Sequence, residues 1–302
     1  MSLTTKTVDN QSTTSISKFR SYMELAKFKL NLTVSISALF GYTMAAIIYG
    51  VFSWIDLLMI GLGGFLITAG ANTFNQISEQ EYDAKMKRTQ NRPLPTKRLT
   101  NTEAILFGVF TSIAGVAILG IFFNLPTALL GVIGLLSYSF VYTPMKRYSP
   151  FSVFIGAIPG ALPPLIGWVG VTQAIDKEGI ILFAFQFLWQ FPHFWAIAWK
   201  GDADYQKAGF KMLPTSSGKS KISAAFILFY AFCHVPIALF PYLDGMINGF
   251  QATILALLGF MFTIPAIQLY RTLEEKYALY LMFASFLYLP LMELTFLVKL
   301  FL

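Results

Sequence analysis

The chain has 302 residues, of which 56% are hydrophobic and only 12% are charged. A soluble domain carries roughly 25% charged residues, so this composition argues against a soluble protein and favours one membrane domain. A net charge of +7 could attract nucleic acid, but the distribution of the basic residues along the chain, given below, explains it otherwise. The single cysteine, Cys233, excludes an internal disulfide framework and a paired-cysteine metal site.

The N-terminal residues 1–21 are predicted to form a disordered polar tail. Residues 1–17 are rich in Ser and Thr and contain no apolar run before a cleavage site, which argues against a signal peptide. They also lack the repeated arginines of a transit peptide. The membrane domain is therefore expected to cover residues 22–302.

Nine apolar runs follow the tail, and each is long enough for the roughly 20-residue helix that crosses a bilayer. They predict an all-α, polytopic membrane protein, because transmembrane β-barrels show weak alternation instead of long apolar runs. The predicted spans are 30–50, 55–78, 102–123, 125–143, 151–171, 179–199, 221–241, 247–269 and 277–300.

Basic residues alternate between the two sides of the predicted membrane. They cluster in the tail and in the loops after spans two, four, six and eight, and only Lys177 and Lys299 of the 22 fall on the other side. The positive-inside rule then places the N-terminus and these loops in the cytoplasm. Topology accounts for the net charge, so no nucleic-acid partner is expected.

The end of span two places oxygen-bearing side chains along one helical face. Asn75, Glu79 and Asp83 are spaced by four residues, and Asn72 precedes them by about one turn. Such oxygen ligands suit Mg²⁺, which commonly takes one or two carboxylates together with phosphate oxygens. A solvated helix end is the alternative. It does not explain the asparagines inside an apolar span, where polar groups usually face a cavity or a partner.

A basic segment follows at once in the long loop 79–101. Its members are Lys85, Lys87, Arg88, Arg92, Lys97 and Arg98. Carboxylates beside such a segment predict a metal-bridged polyphosphate site, because guanidinium groups grip phosphate oxygens in bidentate fashion. The basic residues alone fit a solvated loop equally well.

Span six ends in a second polar group on the same side of the membrane. Gln186, Gln190 and His193 line the span, and Lys200 and Asp204 follow in the long loop 200–220. A lone histidine is more often structural than a ligand, but the shared membrane side favours a function for His193. Asp204 is a candidate to bind a second cation or to orient a base.

Two further features lie in spans four and five. Lys146 and Arg147 end span four on the cytoplasmic side, where they are either topology signals or anion ligands. The segment Pro159-Gly-Ala-Leu-Pro163-Pro164 is predicted to break span five, and broken helices inside membranes usually line a cavity.

These stretches together resemble the UbiA-type intramembrane prenyltransferases. The similarity rests on Asn75-x3-Glu79-x3-Asp83 and on the segments 86–94, 146–147, 160–168, 189–194 and 204–214. It covers about residues 22–300. Within the superfamily, Arg88-Thr-x-x-Arg92-Pro-Leu and Pro192-His-Phe most resemble the branch of protoheme IX farnesyltransferases.

The resemblance implies nine helices around a central cavity that opens toward the membrane and is capped by the two cytoplasmic loops. It implies farnesyl diphosphate and haem B as substrates, haem O and diphosphate as products, and Mg²⁺ as cofactor. The bacterial cytoplasmic membrane is the expected location. A haem A synthase is a candidate partner that would receive the product.

The resemblance also implies residue roles. Mg²⁺ would be held by Asn75, Glu79 and Asp83, and haem would be contacted by His193, as an axial ligand or as a base for water. Diphosphate would be bound by Arg88, Arg92, Lys146 and Lys200, and Asp204 completes the catalytic set. The wider superfamily usually has aspartate at Glu79, and it has two aspartates where His193 and Lys200 stand, which argues against a second complete Mg²⁺ site.

Two other functions stay open. A prenyltransferase acting on an aromatic quinone precursor would use the same diphosphate chemistry on another acceptor. A secondary transporter would also carry polar residues in its helices, but transporters usually place them near the midplane and show inverted repeats. Here the recognised polar residues crowd one membrane face.

Overall fold

The structure is a computed structural model that describes residues 17–298, and helices make up most of this range. Within it no strand occurs, and nine helical segments are long and apolar enough to cross a membrane. The prediction of an all-α polytopic fold is therefore confirmed. The predicted tail lies mostly outside the described residues, but its last four residues belong to a helix that begins at Lys18.

The helices follow one another with short connections, apart from two long loops. In chain order they are α1 (Lys18–Leu25), α2 (Phe28–Ile48), α3 (Trp54–Asp83), α4 (Asn101–Phe122), α5 (Leu125–Leu136), α6 (Thr143–Met145), α7 (Ser152–Thr172), α8 (Lys177–Lys200), α9 (Asp202–Lys207), α10 (Lys221–Phe232), α11 (Leu239–Leu243), α12 (Gly249–Thr272) and α13 (Glu275–Val298). A π-helix, Ser137–Tyr142, joins α5 to α6, and a 3-10 turn, Pro236–Ala238, precedes α11.

Polar side chains fix where several of the membrane helices begin. Ser53, Thr100, Asn124, Asp176 and Asn248 each accept a hydrogen bond from a backbone N–H in the first turn of the helix that follows. Such caps satisfy donors that a helix leaves free at its start. The caps therefore fix where these five helices begin.

The predicted break in span five is wrong, because α7 runs without interruption through Pro159, Pro163 and Pro164. Pro164 has no N–H to donate to the carbonyl oxygen of Gly160, four residues earlier. Gln186 and Gln190 of α8 replace that donor, since both Nε2 atoms lie 2.9 Å from Gly160 O. A neighbouring helix thus satisfies the carbonyl that the proline leaves free.

Helices α2 and α7 pack backbone against backbone at two glycines. A Cβ atom at Gly41 would lie 2.0 Å from Pro164 O, and one at Gly167 would lie 2.1 Å from Ala38 O. Small residues permit such close approach between membrane helices. The contact fixes the position of two helices that line the central cavity.

The two long loops meet at one end of the bundle. Residues 84–100 and 201–220 form this loop end. Arg88 Nη2 donates to the hydroxyl of Tyr205 at 2.8 Å, and the Lys211 amide donates to Lys146 O at 2.7 Å. The two loops, distant in sequence, therefore form a joint cover over the same end of the helices.

Candidate active site

A cavity of about 580 Å³ lies beneath the loop end, between helices α2, α3, α5, α7, α8 and α13. This volume is in the usual range for sites that enclose a small molecule. Most of its wall is apolar, and its polar side chains concentrate toward the loops. The cavity thus has a polar end, formed by Lys27, Asn72, Asn75, Glu79, Asp83, Arg92 and Lys146.

Helix α3 supplies the oxygen-bearing face that its spacing predicts. Asn75, Glu79 and Asp83 are only 1%, 5% and 0% exposed, yet all three line the cavity. Asn72 lies one turn deeper and donates to Asn31 Oδ1 of α2 at 2.7 Å. The four side chains are therefore part of the cavity wall and do not belong to a solvated helix end.

Each carboxylate of this face is paired with a cation. Lys146 Nζ lies 2.9 Å from Glu79 Oε1, and Arg92 Nη1 lies 2.7 Å from Asp83 Oδ2. Burial opposes the charge on Lys146, but the Glu79 carboxylate, Tyr138 and Tyr205 together outweigh it, so the pKa of Lys146 is raised above its ordinary value. Lys146 is therefore charged in the site at neutral pH.

Lys27 is a site residue that the sequence motifs did not reveal. It stands at the bend between α1 and α2 with a φ of 52°, and its Nζ donates to Asn72 Oδ1 at 3.0 Å and to Asn75 Oδ1 at 3.3 Å. Burial, reinforced by the charges of Arg92 and Lys146, lowers its pKa to about 7. As a basic residue just before span one, Lys27 carries no local signal beyond its agreement with the positive-inside rule.

The π-helix, Ser137–Tyr142, forms a third wall of the polar end. Such segments occur mostly as single turns within helices and frequently at functional sites. Thr143 follows it, and the Thr143 hydroxyl accepts a hydrogen bond from Asn75 Nδ2 at 3.1 Å. Tyr138 and Tyr142 line the cavity, and Lys146 Nζ lies 4.5 Å from the ring centre of Tyr142.

The donor set of the polar end fits a divalent cation. Asp83 Oδ1 is buried and has no hydrogen-bond partner within residues 17–298. It faces the same cavity as the Glu79 carboxylate and the Asn75 amide, all hard oxygen ligands. No group of three or more His, Cys, Asp or Glu in that range could hold a metal alone. A cation here would therefore need oxygens from a bound anion as well.

His193 lies on the opposite wall, on α8, and its ring is held on two sides. It stacks on Trp189 with ring centres 4.4 Å apart, and its Nδ1 lies 2.7 Å from Ser285 Oγ of α13. The Ser285 hydroxyl donates its only hydrogen to Met282 O, so Nδ1 must carry the proton of the imidazole. The Nε2 lone pair is then available on a residue that lines the cavity.

Of the other predicted residues, Arg88 lines the cavity, whereas Lys200 and Asp204 do not. Arg88 lines the cavity at the loop end, next to Tyr205. Lys200 is exposed at the last residue of α8, and Asp204 pairs with Lys207 at 3.5 Å. Neither Lys200 nor Asp204 is among the residues that line the cavity, because α8 ends at the level of the loops.

Comparison with known proteins agrees with the motifs. The chain matches the model of the UbiA prenyltransferase family over residues 34–288. The protoheme IX farnesyltransferase of Cytophaga hutchinsonii is 47% identical over 280 residues, which are 93% of this chain and 97% of that protein. The protoheme IX farnesyltransferase of Flavobacterium psychrophilum is 37% identical over 288 residues, 94% and 95% of the two chains.

Solved structures share the same arrangement of helices. A digeranylgeranylglyceryl phosphate synthase matches with a TM-score of 0.77 at 22% identity, over 94% of this chain and 99% of that one. A UbiA homologue from Archaeoglobus fulgidus, solved with GPP and Mg²⁺ bound, matches with a TM-score of 0.70 at 14% identity, over 93% and 100%. At these identities the likeness concerns the fold alone.

Proposed function

We propose that this chain, which belongs to the UbiA prenyltransferase family, transfers the farnesyl group of farnesyl diphosphate to a vinyl group of haem B, giving haem O and diphosphate. The enzyme is a multi-pass membrane prenyltransferase. One observation carries the choice of substrates: relatives bearing the name protoheme IX farnesyltransferase match nearly the whole chain. The cavity supports it, because a polar end suited to a diphosphate and a histidine with a free Nε2 line the same space.

The polar end would bind the diphosphate and its metal. Glu79, Asp83 and Asn75 would hold Mg²⁺, and the unpaired Oδ1 of Asp83 supports this assignment. When bound, Mg²⁺ would withdraw charge from the diphosphate and so make it a better leaving group. Arg92 and Lys146, now bonded to the carboxylates, would turn to the diphosphate oxygens.

The remaining cavity wall would protect the reacting allylic group. Breaking the C–O bond of farnesyl diphosphate leaves positive charge on the allylic carbon, which an apolar, aromatic wall tolerates through cation–π attraction. Tyr138, Tyr142 and Trp189 line the cavity and present such rings. Arg88 and Tyr205, joined across the loop end, would limit entry of bulk water from the loops.

His193 would bind the haem iron. A histidine that ligates a metal usually donates its other ring nitrogen to an acceptor, which fixes the tautomer and the orientation of the ring. Here Nδ1 donates to Ser285 and the ring stacks on Trp189. This arrangement supports the axial-ligand role over the role of a base. The proposed mechanism gives no part to Lys200 or Asp204, which lie outside the cavity wall.

The same proposal includes a membrane location, an orientation and a partner protein. The distribution of basic residues supports a bacterial cytoplasmic membrane location with the loop end facing the cytoplasm, where farnesyl diphosphate would reach the polar end. A haem A synthase would be the partner that receives haem O. These assignments rest on charge distribution and on the proposed product.

Product analysis tests the reaction. Purified protein in detergent would receive haem B, farnesyl diphosphate and Mg²⁺, and chromatography with mass spectrometry would identify the haems. We expect a haem heavier by a farnesyl group and a hydroxyl group, and we expect this product to disappear when a chelator is added. Diphosphate release without a modified haem would indicate an aromatic quinone precursor as acceptor. If neither a modified haem nor diphosphate forms, a transporter function would be favoured.

A further inference from the structure

A second polar group lies in the cavity, away from the loop end, and the mechanism above does not use it. Glu293 of α13 lines the cavity although its side chain lies within a membrane-spanning helix, and it is only 5% exposed. Ser37 of α2, 2% exposed, lines the same cavity. Gln186 of α8, 4% exposed, lines the same cavity.

Two acceptor atoms of this group are free. Glu293 Oε1 and Gln186 Oε1 are both buried, and neither has a hydrogen-bond partner in the part of the chain that the structure describes. Gln186 uses its Nε2 on Gly160 O, so its remaining polar atom is an acceptor. Buried acceptors without partners are destabilising, and ionisable groups inside membranes usually serve a function. The pair therefore calls for a ligand that donates hydrogen bonds.

The chemistry of the proposed reaction limits what that donor is, so the inference rests on the proposed function. A farnesyl chain is a hydrocarbon and has no donor, and a haem vinyl group has none. Water is the remaining reactant, because the product carries a hydroxyl group that comes from it. Water can donate to either of these acceptors. Free acceptors in the cavity wall thus fit water better than the other reactants.

The helices place this group at a suitable depth. Asn31 of α2 is bonded to Asn72 at the polar end, and Ser37 lies six residues further along α2, about 9 Å along the helix axis. Ser37 therefore lies deeper in the cavity than the polar end. Glu293 also lies eight residues beyond Ser285, the partner of His193, or about 12 Å along α13.

We propose that Glu293 is the catalytic base that hydrates the farnesylated haem cation, with Gln186 and Ser37 positioning the water and the carboxylate. The C–O bond of farnesyl diphosphate breaks, and its electron pair leaves with the diphosphate. The vinyl π electrons form the new C–C bond, which leaves a cation on the inner vinyl carbon. Water adds to that carbon through oxygen, and its proton passes to the Glu293 carboxylate. No oxidant or reductant is required.

The distribution of charge in the cavity favours a role for Glu293 that differs from the role of Glu79 and Asp83. Glu79 and Asp83 are paired with Lys146 and Arg92, whereas Glu293 belongs to none of the salt bridges found in residues 17–298. A carboxylate without a cationic partner attracts a nearby carbocation and is free to accept a proton. The competing explanation is structural: Glu293 would only support the packing of α13 beside α2 and α8.

The test compares the products of Glu293→Gln with those of the wild-type enzyme. The amide keeps the size of the side chain but cannot take a proton. Without a base the cation loses a proton from carbon, which gives a farnesylated haem lighter by one water. Thr295→Val is the matched control, because Thr295 is buried on α13, bonds to Leu291 O and does not line the cavity.

We expect Glu293→Gln to bind haem and release diphosphate, while the ratio of hydrated to dehydrated product falls by about 100-fold. An unchanged ratio would overturn the proposal, as would loss of both haem binding and diphosphate release, which would indicate a structural role. If Glu293→Gln does not fold, the Gln186→Leu variant tests the proposal instead. A lowered ratio of hydrated to dehydrated product in that variant supports the proposal, and a wild-type ratio overturns it. A wild-type enzyme that yields no farnesylated haem would instead refute the proposed function.

Discussion

The two carboxylate oxygens of Asp83 have different surroundings. Its Oδ2 holds Arg92, while its Oδ1 is buried and has no partner among the described residues. We expect Asp83→Asn to lower turnover by about 100-fold or more, because it removes a charged oxygen ligand and weakens the hold on Arg92. The rate of product formation in detergent, with Mg²⁺ in excess, measures this loss.

Glu81→Gln is the control for that experiment. Glu81 lies on the same turn of α3 but is exposed and does not line the cavity. It should leave turnover near the wild-type value. Normal activity in Asp83→Asn would contradict the assignment of the metal site, provided that both variants melt at similar temperatures.

Ser285 determines which nitrogen of His193 faces the cavity. Replacing it by alanine removes the acceptor of the Nδ1 proton, so the ring loses both its orientation and its tautomer. Such second-layer changes typically weaken metal binding 10- to 100-fold. We expect Ser285→Ala to weaken haem binding by this factor, measured by absorbance titration with haem B.

Ser112→Ala provides the comparison for Ser285. Ser112 is also buried and also bonds to a carbonyl one turn earlier, Gly108 O of α4, but it does not line the cavity. Its loss should not change haem affinity. Equal haem affinity in the two variants would argue against His193 as the axial ligand.

At the scale of elements, the α2–α7 contact holds two walls of the cavity together. Gly41→Val would place a Cβ atom 2.0 Å from Pro164 O, so the backbones must separate. Overpacking of this kind typically costs about 1–3 kcal/mol and sometimes more. We expect a lower thermal midpoint in detergent and a loss of activity, because both helices carry cavity residues.

Gly120→Ala tests whether that effect is specific. Gly120 lies on α4, and an added Cβ atom would meet Ala128 Cβ at 3.6 Å, an ordinary contact. The thermal midpoint of this variant should be unchanged or slightly higher, since alanine favours helices. A drop in Gly120→Ala as large as that in Gly41→Val would mean that close packing at Gly41 is not the cause.

Elements with a strong local signal were predictable, whereas those that depend on neighbours were not. Long apolar runs gave all nine spans, and the four-residue spacing of Asn75, Glu79 and Asp83 gave the cavity face of α3. The continuity of α7 depends on amides donated by α8, which no local pattern reveals. Lys27 was missed for the same reason, since only folding brings it to Asn72, and Glu293 belongs to no motif.

At the scale of the whole molecule, orientation is the property most open to a direct check. In a Cys233→Ala background, Gln90→Cys would mark the loop end and Ala174→Cys the opposite end, and both positions are exposed. We expect a membrane-impermeant maleimide to label Ala174→Cys in intact cells and Gln90→Cys only after the membrane is opened. The reverse pattern would contradict the orientation inferred from the basic residues.

The pairing of each site carboxylate with a cation has a consequence for the order of ligand binding. A metal ion that takes Glu79 and Asp83 would compete with Lys146 and Arg92 for the two carboxylates, and so would weaken the pairing of both cations. Diphosphate oxygens can accept those cations, so each ligand removes the obstacle to the other. Metal and diphosphate are then coupled thermodynamically, each raising the affinity for the other by the same factor. Under the proposed mechanism the leaving group would be activated only when metal and diphosphate are both bound, which would protect farnesyl diphosphate that binds without the metal from hydrolysis.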